Sequence, residues 1–267
     1  MTLDVSDLDA AMTPERRGDR TFSWDVPPSW QQGKGAFGGL VAGALILAGE
    51  AALGDPERPL RAQTLELMAP ALVGPGDIEV TVLRAGSSVT VAAVALRQGG
   101  DMVAHAVLTF GRHRDDARWC ALTPPLLPPA HELPIAPVAP PGAPTFTQHM
   151  EFRTTTGFPF SGVETTEILG WVRPRQSRAR GAAYIAVCCD SYWPAALVSL
   201  RAPRPMATLT FTLQIVGDLR GVEADAPLLY RARSLASGDG YVPELRELWT
   251  PDGRLVALNP QTFALSR

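Results

Sequence analysis

Cysteine is scarce in this chain: three residues in 267, at Cys120, Cys188 and Cys189. They form no Cys-x-x-Cys pair, so no disulfide framework is expected, and adjacent Cys188-Cys189 read as small buried hydrophobes. Histidine is equally thin, with His105, His113, His131 and His149 at no metal-ligand spacing. No metal and no cofactor are expected. There is no long apolar run; Leu40 to Ala48 is too short to cross a bilayer. The N-terminus lacks the basic and apolar regions of a signal peptide, so the expected compartment is the cytoplasm. The net charge is −3, without a basic block, so no nucleic-acid partner is expected. The densest basic stretch is 173–180, with Arg173, Arg175, Arg178 and Arg180. It reads either as a solvated loop or as a contact for an anionic ligand.

The chain is rich in hydrophobic residues (46%) and in proline (25 residues). The first predicts a well-buried globular protein. The second is concentrated: nine prolines fall between Pro124 and Pro144. That stretch predicts an extended linker over 113–148, between units at 1–112 and 149–267. In the first unit, Leu3, Val5, Leu8 and Met12 suggest one short helix. Alternation over Arg20–Val26 predicts a strand, and a Gly-rich loop then leads into an apolar helix from about Gly38 to Gly54. Four strands are expected at Leu60–Ala69, Gly76–Ala85, Ser88–Gln98 and Asp101–Gly111, with hairpins at Gly86-Ser87 and Gly99-Gly100. The second unit repeats the pattern. Strands are expected near Met150–Thr156 and Thr165–Val172, then a helix over 181–200. Four more follow near Met206–Val216, Pro227–Leu235, Tyr241–Thr250 and Arg254–Leu265. The order predicts an α+β fold in which each antiparallel sheet wraps one apolar helix, the two sheets joining edge to edge.

Gly100–Phe110 aligns without a gap on Gly253–Phe263, an offset of 153. Carried to the helices, that offset sets Phe37 against Asp190; in the last strands it sets Leu108 against Gln261. Asp190 is the one charged residue between Gly181 and Leu200. Such a carboxylate is either a first-turn residue favoured by the helix dipole or a buried group with partners. The second half also carries Thr208, Thr210 and Thr212, which simple alternation places on one strand face. A carboxylate, a hydroxyl and an amide around one helix can hold and activate a water. None is a strong nucleophile, so covalent catalysis is not expected. The backbone N–H of Gly38 or Gly39, at a helix N-terminus, is the candidate oxyanion and substrate donor.

Several segments carry a resemblance. They are Gly35-Ala36-Phe37-Gly38-Gly39-Leu40, Cys189-Asp190-Ser191-Tyr192-Trp193-Pro194, Met206-Ala207-Thr208-Leu209-Thr210 and Asp252-Gly253-Arg254-Leu255 with Gln261. Over roughly 20–267 the chain resembles the TesB-type (type II) acyl-CoA thioesterases, which have a double hotdog fold. The resemblance implies a catalytic set on Asp190, Thr208 and Gln261, an acyl-CoA substrate, and arginines of 173–180 near the CoA phosphates. A homo-oligomer is compatible with it. Three departures stand out: the strand around Gln63 lacks the family's frequent His-rich segment, Asn259-Pro260 predicts a bend before Gln261, and the Pro-rich linker is unusually long. A non-catalytic acyl-chain-binding protein on the same fold is the alternative. A hydratase would want a His near an Asp, and neither helix contains one.

Overall fold

Alternation of apolar and polar residues builds the strands, and two apolar stretches build the helices they wrap. The computed structural model describes residues 6–137, 143–223 and 226–265. In the first half the elements are α1 (Leu8–Met12), β1 (Glu15–Arg16), β2 (Thr21–Val26), β3 (Gln31–Gln32), β4 (Gly35–Ala36) and α2 (Gly38–Leu53). The half ends with β5 (Leu60–Leu67), β6 (Gly74–Ala85), β7 (Val89–Gln98) and β8 (Asp101–Gly111). The second half has β9 (Met150–Thr154), β10 (Glu167–Pro174), α3 (Ala182–Asp190) and α4 (Ala196–Ser199). It ends with β11 (Met206–Ile215), β12 (Leu228–Ser234), β13 (Tyr241–Trp249) and β14 (Leu255–Leu265). Every predicted strand is present within about two residues of its expected ends. The predicted N-terminal helix is α1; its proposed members Leu3 and Val5 lie outside the described residues, as do Pro140 and Pro141 of the linker.

All strands but β3 and β4 form one 12-stranded sheet in the order β1-β2-β6-β7-β8-β5-β11-β14-β13-β12-β10-β9. Its two halves meet where β5 pairs antiparallel with β11, Leu213 opposite Gln63 and Thr212 opposite Thr64. Two edges that would otherwise invite aggregation are consumed in this way. The fold is a double hotdog. α2 and α3 pack on each other inside the curl of the sheet, and residues of both halves share one hydrophobic core. They run antiparallel: a Cβ on Gly39 would lie 2.9 Å from Asp190 Cβ, while one on Gly43 would lie 3.5 Å from the Ala183 carbonyl oxygen. Residues 122–133 of the linker lie along the outer face of the second half. There Leu122, Leu127 and Leu133 pack on Trp171, Leu229 and Trp249, and Trp171 Nε1 donates to the Pro128 carbonyl at 2.9 Å.

Two expectations are corrected. The helix carrying Asp190 does not run to 200: α3 stops at Asp190, followed by a break and the short α4. Proline explains the stop, because Pro194 has no N–H to donate to the Asp190 carbonyl four residues back, and its ring would clash there. Asp190 is therefore the last residue of its helix, not a first-turn residue. Next, one offset does not serve the whole repeat. It holds for β8 and β14, but α3 starts 144 residues after α2, so Phe37, which precedes α2, does not correspond to Asp190. Connections of different length between elements absorb the difference. β14 continues through Pro260. The proline sits within the strand opposite Leu245, with Gln261 opposite Glu244.

Candidate active site

Asp190 ends α3, where its own helix dipole disfavours a negative charge. It lies against the start of the neighbouring α2, where the dipole favours one. This closeness needs glycine. A Cβ on Gly38 would fall 2.8 Å from Asp190 Oδ2, and one on Gly39 would fall 2.6 Å from the Phe37 ring. The Gly39 backbone N–H hydrogen-bonds the carboxylate.

The other partners come from the inner face of the second-half sheet. Arg246 Nη1 on β13 donates to Asp190 Oδ1 at 3.1 Å and to the Cys189 carbonyl at 3.1 Å. Gln261 Nε2 on β14 donates to the same Oδ1 at 2.9 Å, and to Asn259 Oδ1 at 2.7 Å. Arg246 Nε in turn donates to Glu244 Oε1 at 2.8 Å. The other Glu244 oxygen accepts from the Ala195 N–H at 2.7 Å and from Ser234 Oγ at 2.8 Å. It thereby satisfies backbone released by the break at Pro194. Asp190, Glu244, Arg246 and Gln261 are each 7% exposed or less. Buried charges persist only when paired and hydrogen-bonded, and these are. Burial pushes the Asp190 carboxyl up from the ordinary carboxylate value; the Arg246 guanidinium, the Gln261 amide and the Gly39 N–H pull it back in part.

Thr208 reaches this neighbourhood through a bulge. In β11 the pairing with β14 slips between Thr208, opposite Phe263, and Thr210, opposite Thr262. Phe263 and Phe211 are buried on the inner face. The extra residue, Leu209, turns Thr208 to that face and leaves Thr210 exposed. The expectation that Thr208, Thr210 and Thr212 share a face is thus corrected. Thr208 and Asp190 line one cleft of about 580 Å³, bordered also by Val41, Leu67, Leu197 and Phe263. Thr208 makes no hydrogen bond to Asp190 or Gln261 among the described residues. Gln261 Oε1 is buried and has no partner.

Of the sequence candidates, the structure joins Asp190, Gln261 and the Gly38-Gly39 backbone directly, and sets Thr208 on the same cleft. The arginines of 173–180 do not border it. Arg173 pairs with Glu151 at 3.0 Å and Arg175 donates to the Met150 carbonyl at 3.0 Å. Arg180 lines a different cavity, and the cleft's own basic residues are Lys34 and Arg246. Glu244, Arg246 and Asn259 were not foreseen. Among the described residues no group of three or more His, Cys, Asp or Glu could hold a metal, and no helix is long and apolar enough to cross a membrane.

The duplication can now be read in three dimensions. The bulge in β5 falls between Leu60 and Ala62, so Thr208 stands 148 positions after its counterpart Leu60. The cross-strand pairs Leu108–Ala92 and Ala106–Val94 of the first half match Gln261–Glu244 and Asn259–Arg246 of the second. Counted from the helix starts, Asp190 matches Ile46.

Comparison with protein-family models matches residues 26–111 to the acyl-CoA thioesterase N-terminal domain and residues 127–265 to the acyl-CoA thioesterase C-terminal domain. Among solved structures, a hot dog fold protein of unknown function from Alicyclobacillus acidocaldarius is 28% identical with a TM-score of 0.88; the match covers 97% of this chain and 98% of that one. A protein assigned as a thioesterase II from Thermobifida fusca is 22% identical, TM-score 0.81, with 100% of both chains covered. Acyl-CoA thioesterase II TesB2 from Mycobacterium marinum is 18% identical, TM-score 0.77, with 97% and 98% covered. Among curated proteins no sequence matches. With both of its halves matched by the paired domains, the chain belongs to the acyl-CoA thioesterase family and is a thioester hydrolase on a double hotdog fold.

Proposed function

We propose that this protein hydrolyses acyl-CoA thioesters with a water held by Asp190, Thr208 and Gln261, in a unit spanning 149–267. The observation that carries the reading is the state of the Asp190 carboxyl. Oδ1 is occupied by Arg246 and Gln261, while Oδ2 lies beside Gly38 in a residue that borders the cleft. Oδ2 is then the base. It takes a proton from water as the water oxygen attacks the thioester carbonyl carbon. Gln261 Oε1, buried without a donor, accepts the water's second hydrogen, and the Thr208 hydroxyl donates to the water oxygen. The attack converts the carbonyl into an oxyanion. Because the Gly39 N–H serves Asp190, the Gly38 N–H is the donor assigned to that oxyanion. Collapse expels the CoA thiolate, which takes the proton back from Asp190, so the free acid and thiol leave and the carboxylate is restored. Val41, Leu67, Leu197 and Phe263 give the acyl chain an apolar lining. Lys34 stands where it can meet an anionic part of the substrate.

The test is release of free thiol from a series of acyl-CoA chain lengths. Turnover by the wild type and its collapse in Asp190→Asn are expected. Turnover by Asp190→Asn equal to that of the wild type would remove Asp190 from the reaction, whereas tight binding without turnover in the wild type would favour an acyl-binding role.

A further inference from the structure

A second cavity, of about 750 Å³, lies at the other end of the helix pair. It is the counterpart of the catalytic cleft under the internal duplication. The cleft is built from the start of β11 (Pro205–Leu209), the segment after β5 (Leu67–Ala71), the approach to α2 and the end of α3. The second cavity is built from the start of β5 (Pro59–Arg61), the segment after β11 (Ile215, Gly217–Arg220), the approach to α3 (Arg180–Ala182) and the end of α2 at Glu50. Gly39 and Glu50 are separated by eleven residues of α2, about 16 Å along the axis at the helical rise. The two spaces are therefore distinct sites.

Their chemistry has diverged. Leu60 stands where the catalytic cleft has Thr208, and Leu108 where it has Gln261, so the second cavity has no set that holds a water. It has arginines instead: Arg61, Arg112, Arg180 and Arg220, with His113 beside them. Arg220 is tied to Asp218 at 2.7 Å, and Arg112 lies 3.7 Å from Asp55; Arg180 enters no ion pair among the described residues. Arg61 uses Nε on the Gly111 carbonyl at 3.0 Å, which fixes its guanidinium against the strand. Guanidinium groups on separate elements that converge on one concave space suit phosphate oxygens. The acids that share the cavity oppose this weakly. Asp218 is engaged by Arg220, Glu57 is exposed, and burial pushes the Glu50 carboxyl up to about 7, so much of its charge is neutralised near neutral pH.

We propose that this second cavity is a non-hydrolytic binding site for a nucleoside diphosphate group. Two sources carry that chemistry: a free nucleotide, or the nucleotide end of coenzyme A. The site acts whether or not the other cleft hydrolyses thioesters, because it shares none of that cleft's reacting groups.

Calorimetric titration of the full chain with ADP, pyrophosphate and coenzyme A tests it, with Asp190→Asn used to leave thioester substrates intact. ADP binding is expected, equal in the wild type and in Asp190→Asn. The Arg61→Ala/Arg180→Ala pair is expected to weaken it about tenfold or more while thiol release at saturating substrate is unchanged. Arg180→Glu, a single change at an exposed side chain, provides the same readout if the pair folds poorly. Coenzyme A binding much more tightly than ADP, and weakened by the same variants, names the coenzyme as the source; comparable affinities name free nucleotides. Absence of binding by all three probes at millimolar concentration overturns the proposal. So does binding that ignores the arginine variants, or that an uncleavable acyl-CoA thioether in the catalytic cleft displaces from Arg61→Ala/Arg180→Ala as readily as from the wild type.

Discussion

In the first half of the molecule, Ile46, Leu60, Ala92, Val94, Ala106 and Leu108 close the space between helix and sheet with hydrocarbon. In the second half the matching positions are Asp190, Thr208, Glu244, Arg246, Asn259 and Gln261. Backbone, strand order and even the bulge are shared. The difference shows how a duplicated fold divides its labour. The apolar half gains from burial, about 25 cal/mol per Å² of apolar surface. The polar half carries desolvated charges held in place by one another and by neutral hydrogen-bond partners. Burial there leaves Asp190 with a raised pKa, which its partners pull back only in part.

The largest effect should come from breaking the charge pairing on one side. Arg246→Val, which copies Val94, leaves Asp190 and Glu244 buried without a cation. It should cost about 4 kcal/mol in urea unfolding. Adding Asp190→Ile and Glu244→Gln removes both stranded charges and keeps acceptors for Ala195 and Ser234. That triple variant should recover most of the loss and have no turnover. If it stays as unstable as Arg246→Val alone, charge pairing is not what separates the halves.

Next in size is Asp190→Asn, for which kcat in thiol release should fall about 10³-fold, the scale of a lost general base. Gln261→Leu, copying Leu108, should lower kcat about 10²-fold and also move the pH profile. The wild-type acid limb should lie above the usual carboxylate range, because burial raises Asp190. Gln261 donates to the ionised form, so removing it raises that pKa further, and the acid limb should shift to higher pH. An unshifted limb would mean that the titrating group is not Asp190. The smallest effect is Thr208→Val, about tenfold in kcat with little change in stability, since the side chain is half-buried and makes no hydrogen bond to Asp190 or Gln261.

Much of this was legible in the residues. Alternation marked the strands, and the run of prolines marked the linker that covers Trp171 and Trp249. Asp190 stood out as one carboxylate in an apolar run, and Gln261 as the polar member of a repeated strand. Arg246 did not stand out, because Glu244-Leu245-Arg246-Glu247-Leu248 gives no clue to which face turns inward. Arg246 is buried against Asp190, while Glu247 is buried on the opposite face with Arg231 and Arg233. A repeat register allowed to shift between elements would have exposed the exchange of Ala92 and Val94 for Glu244 and Arg246. Pro194 was a readable stop signal for α3, since it removes the donor that the Asp190 carbonyl needs.

Local chemistry in the chain determined the elements: period-two strands, apolar helices, and breaks at proline and glycine. It also placed one acid at the end of a helix. Which groups meet that acid was decided only by the tertiary structure. A one-residue bulge at Leu209, the antiparallel packing of α2 on α3 and the inward face of β13 each depend on contacts between segments far apart in sequence. Such contacts fix the side-chain direction and the dielectric around a group, and neither is a property of the local sequence.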